Sequence, residues 1–283
     1  MQHLYILRND VILKRDRKSI RIEGESNIRQ VPVSMIDGVY LFGADITKGA
    51  RNLLLENNKE IYFFSSKGFF RGVLHAAKLK SNYKKRLIQY RFIENLEIAK
   101  FIVKRKIDSI EFFLKVSLNR YKEKLKTAKN LNEVLGIEGA CSAYFFRKIK
   151  ETLNSNGIEF EKREYRPVKD RVNGLLSFVY YLYYTFLHSI ILNEGYDPYI
   201  GFLHRKRGTH MAFVSDLMEV YRVVLSEFVV ELLITKKIDE NDFKDLYLTY
   251  EGRKKFVGFY LDLIEKMNHT KFLREIEAFI DKL

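Results

Sequence analysis

Cysteine is nearly absent from this chain, and that alone removes two kinds of protein. The one thiol, Cys141, has no partner for an intramolecular disulfide and cannot by itself build a multi-cysteine zinc site. The composition is compatible with a reducing cytosol. Proline is almost as rare, at Pro32, Pro167 and Pro198. The last two fall in loops between helical stretches, where a residue without a backbone N–H breaks the helix. No run of about 18 uncharged apolar residues exists, the length that a membrane-spanning helix needs. The nearest, 175–192, carries four tyrosines and one histidine and reads as a buried helix. The opening residues MQHLYILRND lack a basic stretch followed by an apolar one, so no secretory leader is expected. Internal repeats and low-complexity tracts are missing too. A cytoplasmic protein with no membrane attachment is the expectation.

What is present is positive charge on a chain able to fold. The 283 residues are 47% hydrophobic and 14% aromatic, enough for a real core and for two domains. Lys and Arg number 50 against 36 Asp and Glu, a net charge of +14. The isoelectric point is near 9.5. Such a surplus draws polyanions, nucleic acid before anionic membrane, although it also serves plain solubility.

The hydrophobic period changes along the chain. Residues 4–7, 11–14, 19–23 and 35–41 are short alternating or β-branched runs separated by polar turns, and so read as strands. Thr47 caps a short helix over 48–56. EIYFFS (60–65) and 69–74 are two more strands around a turn at 66–68. From about Ala76 apolar residues recur at helical spacing, as at Ile88, Phe92, Leu96, Ala99 and Val103. Helices are predicted over 77–94, 96–126, 131–154, 171–194, 209–235, 239–248 and 252–281. The reading is a two-domain α+β protein. A small β-rich N-terminal domain (1–75) precedes a larger all-α domain (80–283).

Three segments of the helical part are more deliberate than core and surface patterning require. LGIEGACSAY (135–144) sets Glu138 among small residues, including two glycines that each cost a helix about 1 kcal/mol relative to alanine. A carboxylate in such a niche suits a metal. A tight helix crossing with Glu138 paired or solvated explains the same pattern. GYDPYIGFLHRKRG (195–208) holds His204 in a constrained loop beside Arg205, Lys206 and Arg207, which can steady phosphate oxygens or simply face water. MAFVSDLMEVYR (211–222) puts Asp216 and Glu219 on one helix face. Two such carboxylates repel unless a cation stands between them, and either a divalent metal or Arg222 would do. Carboxylates plus one imidazole suit Mg²⁺ or Mn²⁺, and with a basic surround they fit metal-assisted attack on a phosphodiester.

These segments, in this order, resemble the CRISPR-associated endonuclease/integrase of spacer acquisition. The likeness runs over nearly the whole chain. VPVSMIDGVYLFG (31–43) and EIYFFSSKGFFRGVL (60–74) resemble the family's β-domain. LGIEGACSAYFF (135–146) resembles the helix of its catalytic glutamate. KREYRPVKDRVNGLLSFVYYLYY (162–184), GYDPYIGFLH (195–204) and SDLMEVYR (215–222) resemble its Asp-x-Asn segment, its His loop and its Asp-Leu-x-Glu helix. The basic LHRKRG is more cationic than a plain His-containing turn.

The resemblance implies an antiviral-defence enzyme that joins the 3′-OH ends of a prespacer duplex to the CRISPR repeat by transesterification. It implies a homodimer that assembles with a small adaptation partner protein. Glu138, His204 and Glu219 would be metal ligands, with Asp216 as the other acidic position of the site. Asp170 and Asn173 either organise that site from behind or simply cap a helix. Arg163, Tyr165, Arg166, Lys169 and Arg171 form a basic and aromatic patch suited to DNA, with Lys206, Arg207 and Arg222 as further contacts. Arg253, Lys254 and Lys255 are another basic spot, and Cys141 reads as packing. Two other readings remain: a non-catalytic nucleic-acid scaffold, and a stand-alone metal-dependent nuclease that uses water.

Overall fold

The computed structural model describes residues 3–24, 28–76, 82–165, 167–205, 208 and 210–283. The chain forms two compact units, one of Met1–Lys80 with Tyr247–Gly258, the other of Ser81–Leu246 with Phe259–Leu283.

The first unit is built on two four-stranded sheets. One has the order β1 (His3–Ile6), β5 (Gly38–Phe42), β7 (Glu60–Phe64), β8 (Phe70–Leu74); the first three are parallel and β8 is antiparallel to β7. The other has the order β4 (Ile28–Pro32), β3 (Ser19–Glu23), β2 (Ile12–Asp16), β6 (Asp45–Ile46). Helix α1 (Lys48–Glu56) crosses between β6 and β7. Its cap, Thr47, accepts from the Ala50 N–H at 3.4 Å and donates to the Leu13 carbonyl at 3.1 Å, tying the helix start to β2. Side chains alternate across each strand. Val39, Leu41 and Ile61 therefore point one way, into a core with Leu13, Ile20, Ala50 and Leu54. The register pairs Tyr5 with Tyr40 and Tyr40 with Tyr62 on the other face. Those rings stack at 4.4 and 4.8 Å.

Most of the predicted strands and α1 form within a residue or two. The run at 35–41 begins as a strand only at Gly38, because Val33–Met35 closes a 3₁₀ turn first. Strands β4 and β6 carried no strand prediction. β4 is a largely exposed edge strand without the apolar alternation that betrays a buried one.

The second unit is helical: α2 (Tyr83–Arg91), α3 (Leu96–Leu114), α4 (Asn119–Thr127), α5 (Leu131–Ser155), α6 (Arg171–Asn193), α7 (Ala212–Ile234), the C-terminal part of α8 (Tyr250–Lys266) and α9 (Lys271–Ile280). Asn82, Asn95, Asn130 and Asp170 cap four of these helices with their side chains. Helices α3, α5 and α6 pack on α7. α6 is long and apolar enough to cross a membrane, but 83% of its apolar window is buried inside the protein.

Three predicted helices are corrected. The stretch 96–126 divides into α3 and α4, because Lys115 turns left-handed (φ 53°) and the Glu111 carboxylate takes the Leu118 N–H at 2.6 Å. The stretch 239–248 is not helical. Asp239 and Asp242 form a capping box around one 3₁₀ turn, and Asp245 adopts φ 58°; short strands at Phe243–Lys244 and Tyr247–Leu248 replace the helix. The stretch 252–281 breaks between Lys266 and Lys271 into α8 and α9. The predicted start at 77 lies outside the described residues, and α2 begins at Tyr83 on its Asn82 cap.

Candidate active site

Helix α7 supplies the centre. Asp216 and Glu219 lie three residues apart on its buried side and are 0% and 1% exposed. Carboxylates at that depth need several hydrogen bonds or cationic partners, and each has a different set.

Asp216 is saturated by the loop before its helix. Its Oδ2 accepts from the backbone N–H groups of Phe202 (2.6 Å) and Leu203 (3.1 Å). Its Oδ1 accepts from the His204 N–H and pairs with the His204 Nδ1, both at 2.8 Å. The loop can come this close only because residue 201 is glycine. A Cβ there would stand 2.6 Å from the His204 carbonyl oxygen and 2.9 Å from the Asp216 Oδ2. With Nδ1 held by Asp216, the other ring nitrogen of His204 is left toward Glu219, 3.8 Å from its Oε1.

Glu219 is held by cations. The Arg222 guanidinium lies 3.0 Å from its Oε1, and the Lys106 ammonium, from α3, donates to its Oε2. Lys106 also donates to Glu138 Oε1 and, at 2.7 Å, to Ser142 Oγ, both on α5. Ser142 in turn donates to Glu138 Oε1 at 2.7 Å. Three helices and a loop thus join Glu138, Glu219, His204 and Asp216 into one connected network, with an ammonium at its middle.

The ionisation equilibria follow from this packing. Burial opposes charge on Glu219, but the Arg222 guanidinium, the Lys106 ammonium and His204 together hold its carboxyl below the ordinary value. Burial also opposes protonation of His204; the Asp216 carboxylate and then Glu219 outweigh it and raise the imidazole. Lys106 and Arg222 are both raised against burial by their carboxylates. The Cys141 thiol is pushed up to about 11 by burial, which leaves it an inert packing group.

The remaining candidates divide. Arg163 turns inward: it donates to the Glu164 carbonyl, Asn173 Oδ1 and Ser177 Oγ and stacks on the Tyr165 ring at 4.2 Å. Arg222 is committed to Glu219. Asn173 is fully buried and bonds Asp170, the Lys162 carbonyl, the Glu164 N–H and Arg163, so it fastens 162–164 to the start of α6. Asp170 is the cap of that helix. Lys169 pairs with Glu164 at 3.1 Å, and Arg171 donates to the Asp245 carbonyl and lies over Phe243. Tyr165 is 56% exposed and faces a cavity of about 150 Å³ that Lys106, Glu138, Ser142 and Arg222 also line. Arg166, Lys206 and Arg207 lie outside the described residues. Arg253 donates to the Ser66 carbonyl within the first unit.

Two members of the centre escaped sequence reasoning. Lys106 follows Ala99, Ile102 and Val103 in the buried stripe of α3, and a lysine in an apolar stripe was the available signal. Ser142 lies one helical turn after Glu138. The glycines beside Glu138 serve no tight helix crossing, since a Cβ at Gly136 or Gly139 would meet nothing within 4 Å.

The donor set fits a hard divalent ion: two carboxylates and an imidazole whose outer nitrogen is anchored by a third carboxylate. The Lys106 ammonium is the cation between those carboxylates here. Among the described residues no three His, Cys, Asp or Glu side chains form a ready-made ion cage.

A β-rich unit followed by a helical unit with a buried acid and imidazole centre is compatible with a nuclease fold, and likeness to known proteins supplies the class, the CRISPR-associated endonucleases. The family model of CRISPR-associated protein Cas1 matches residues 4–261, and the chain belongs to that family. The CRISPR-associated endonuclease Cas1 of Thermotoga maritima is 30% identical over 98% of this chain and 92% of its own. A solved Cas1 structure from the same organism superposes with a TM-score of 0.88 at 28% identity, over 99% of this chain and 95% of that one. A casposase bound to its integration product shares the fold, with a TM-score of 0.80 at 20% identity, over 93% of this chain and 82% of that one.

Proposed function

We propose that this chain joins prespacer DNA to the CRISPR repeat by transesterification, with Glu138, His204 and Glu219 holding a Mg²⁺ or Mn²⁺ ion. The single observation that carries the residue assignment is convergence. Side chains far apart in sequence meet around one cation in a centre that hydrophobic packing alone would not create. A divalent ion bound there would lower the pKa of the attacking hydroxyl and neutralise charge gathering on the phosphorus.

The protein's own groups do the rest. Asp216 fixes the ring of His204 and, through three backbone N–H groups, the loop that carries it. It is an orienting residue, with no oxygen left over for a metal. Arg222 holds Glu219 ionised and in place. Tyr165 offers an exposed ring beside the cavity for stacking against a base or sugar. The surplus of Lys and Arg draws the DNA backbone, with steep salt dependence as its signature.

In this reading the β-rich unit serves dimerisation, the partners are prespacer duplex, repeat DNA, a second copy of the chain and a small adaptation protein, and the compartment is the cytoplasm, where the repeat array lies. The experiment supplies a supercoiled plasmid carrying a repeat array and a labelled short duplex with free 3′-OH ends. The wild type should give joined product that EDTA abolishes without unfolding the protein. Glu138→Ala and His204→Ala should keep DNA binding and lose joining. Only shortened duplex would mean that water is the nucleophile, and unchanged joining by both variants would overturn the assignment.

A further inference from the structure

Lys106 has no role in the chemistry above, yet it stands at its centre. Among the described residues no other lysine or arginine is as fully withdrawn from solvent. An ammonium has three N–H donors and no acceptor. All three are spent here, on Glu138 Oε1, Glu219 Oε2 and Ser142 Oγ. Two of those acceptors are oxygens of the carboxylates assigned to the divalent ion. One oxygen cannot give its full charge to an ammonium and to a divalent ion at once, and two cations a few ångströms apart in a buried site repel strongly.

The lysine also has somewhere to go. Its flexible four-carbon stem can rotate, and the cavity beside it has a volume of about 150 Å³, with Tyr165 and Arg222 on its wall. From there the ammonium would be clear of the two carboxylate oxygens that the ion needs.

We propose that Lys106 is a tethered counter-cation. It keeps Glu138 and Glu219 together when they hold no metal, and a divalent ion must displace it into the neighbouring cavity to bind. This rests on the assignment of Glu138 and Glu219 as metal ligands. Lys106 is thus a positioning residue that sets metal affinity.

The test is Mn²⁺ binding by titration calorimetry to wild type, Lys106→Met and Glu219→Gln, without DNA. Removing the competing ammonium should tighten Mn²⁺ binding by about tenfold or more, while Glu219→Gln should weaken it. A second measurement needs no variant. Acylation of lysines by a water-soluble amine reagent, read by mass spectrometry, should find Lys106 protected in EDTA and labelled at least about fivefold faster in saturating Mn²⁺, as an ammonium leaving a buried site becomes reactive. If Lys106→Met does not fold, the labelling decides. Equal Mn²⁺ affinity in wild type and Lys106→Met, or labelling indifferent to Mn²⁺, overturns the role of Lys106 and leaves the metal assignment standing. Failure of every form to bind Mn²⁺ overturns the metal assignment and this inference with it.

Discussion

Among the described residues both units of this protein bury an apolar core, and the second also closes on a network of buried charges. In the first, the core is aliphatic and aromatic: Leu13, Ile20, Val39, Leu54 and Ile61 on one side of the sheet, and the Tyr5, Tyr40 and Tyr62 stack on the other. Among its described residues Glu60 is the one buried charged group. In the second, α3, α5 and α7 close on Lys106, Glu138, Glu219 and Asp216. Apolar burial is non-directional and roughly proportional to area, so it degrades by increments. A buried charge network is directional, and each member is there because the others are. The first unit should therefore tolerate graded damage, while the charge centre of the second should fail in steps.

The largest expected effect is in the network. Glu219→Ala removes the carboxylate that Lys106 and Arg222 share and leaves two cations facing each other. Breaking a buried pair from one side costs about 3–5 kcal/mol. Urea unfolding should show that loss in EDTA, and the milder Glu219→Gln should recover little of it, since the charge is what matters. Full recovery by glutamine would show that the network is held by hydrogen bonds and shape, and the contrast between the units would disappear.

In the β-rich unit, Leu54→Ala should cost about 2–5 kcal/mol and Ile61→Val about 0.5–1.5 kcal/mol, in proportion to the volume removed. Both side chains are fully buried in one core. Joining activity per folded molecule should stay near wild type for both. A valine at residue 61 as damaging as the alanine at 54 would mean that this core is as stepwise as the charge centre.

How much of this could be read from the sequence depends on the same contrast. Apolar periodicity is a local signal, so β1, β2, β3, β5, β7, β8, α1, α5, α6 and α7 are legible, as are the residue types at 138, 204, 216 and 219. What a charged residue faces is a tertiary fact. Arg163 and Arg222 read as DNA contacts on composition, but their partners, Asn173 and Glu219, lie in the same unit. Lys106 gives only the weak signal of one lysine in an apolar stripe, and its partners on α5 and α7 are tertiary. Asp216 and Glu219 looked alike three residues apart, and only the loop at 202–204 separates an orienting carboxylate from one held by cations. The false helix over 239–248 came from period alone, against a capping box and a left-handed Asp245 that ended it.

That difference between the two acids gives the third prediction. Asp216→Asn keeps the shape but offers one acceptor where four donors converge, and its amide N–H₂ would face donors. Loss of such a supporting carboxylate typically weakens metal binding or activity by about 10–100-fold. Mn²⁺ affinity and joining rate should fall together, while DNA binding at low salt stays unchanged. If asparagine were neutral for metal affinity, Asp216 would only be closing the loop.

The smallest expected effect is a pH dependence at the edge of the second unit's apolar core. His269 bonds the Tyr183 hydroxyl at 3.0 Å and sets its ring edge-on to Phe186 at 4.6 Å. Burial lowers its pKa below the ordinary 6.5, against a weaker opposing pull from the Ile264 backbone. With the folded value depressed, the unfolded chain binds the extra proton first as pH falls, and stability drops from about pH 6.5 downward until the folded imidazole also protonates. His204, raised by Asp216, works in the opposite sense: its contribution is full below the unfolded value and fades as pH rises through the folded one. Unfolding free energies in EDTA between about pH 5 and 8 should therefore lose part of their acid-side slope in His269→Gln and part of their alkaline-side slope in His204→Gln. An acid-side slope unchanged in His269→Gln would mean that this ring is as easily protonated in the folded protein as in the open chain, and that the apolar packing around it excludes less water than Phe186 and Tyr183 imply.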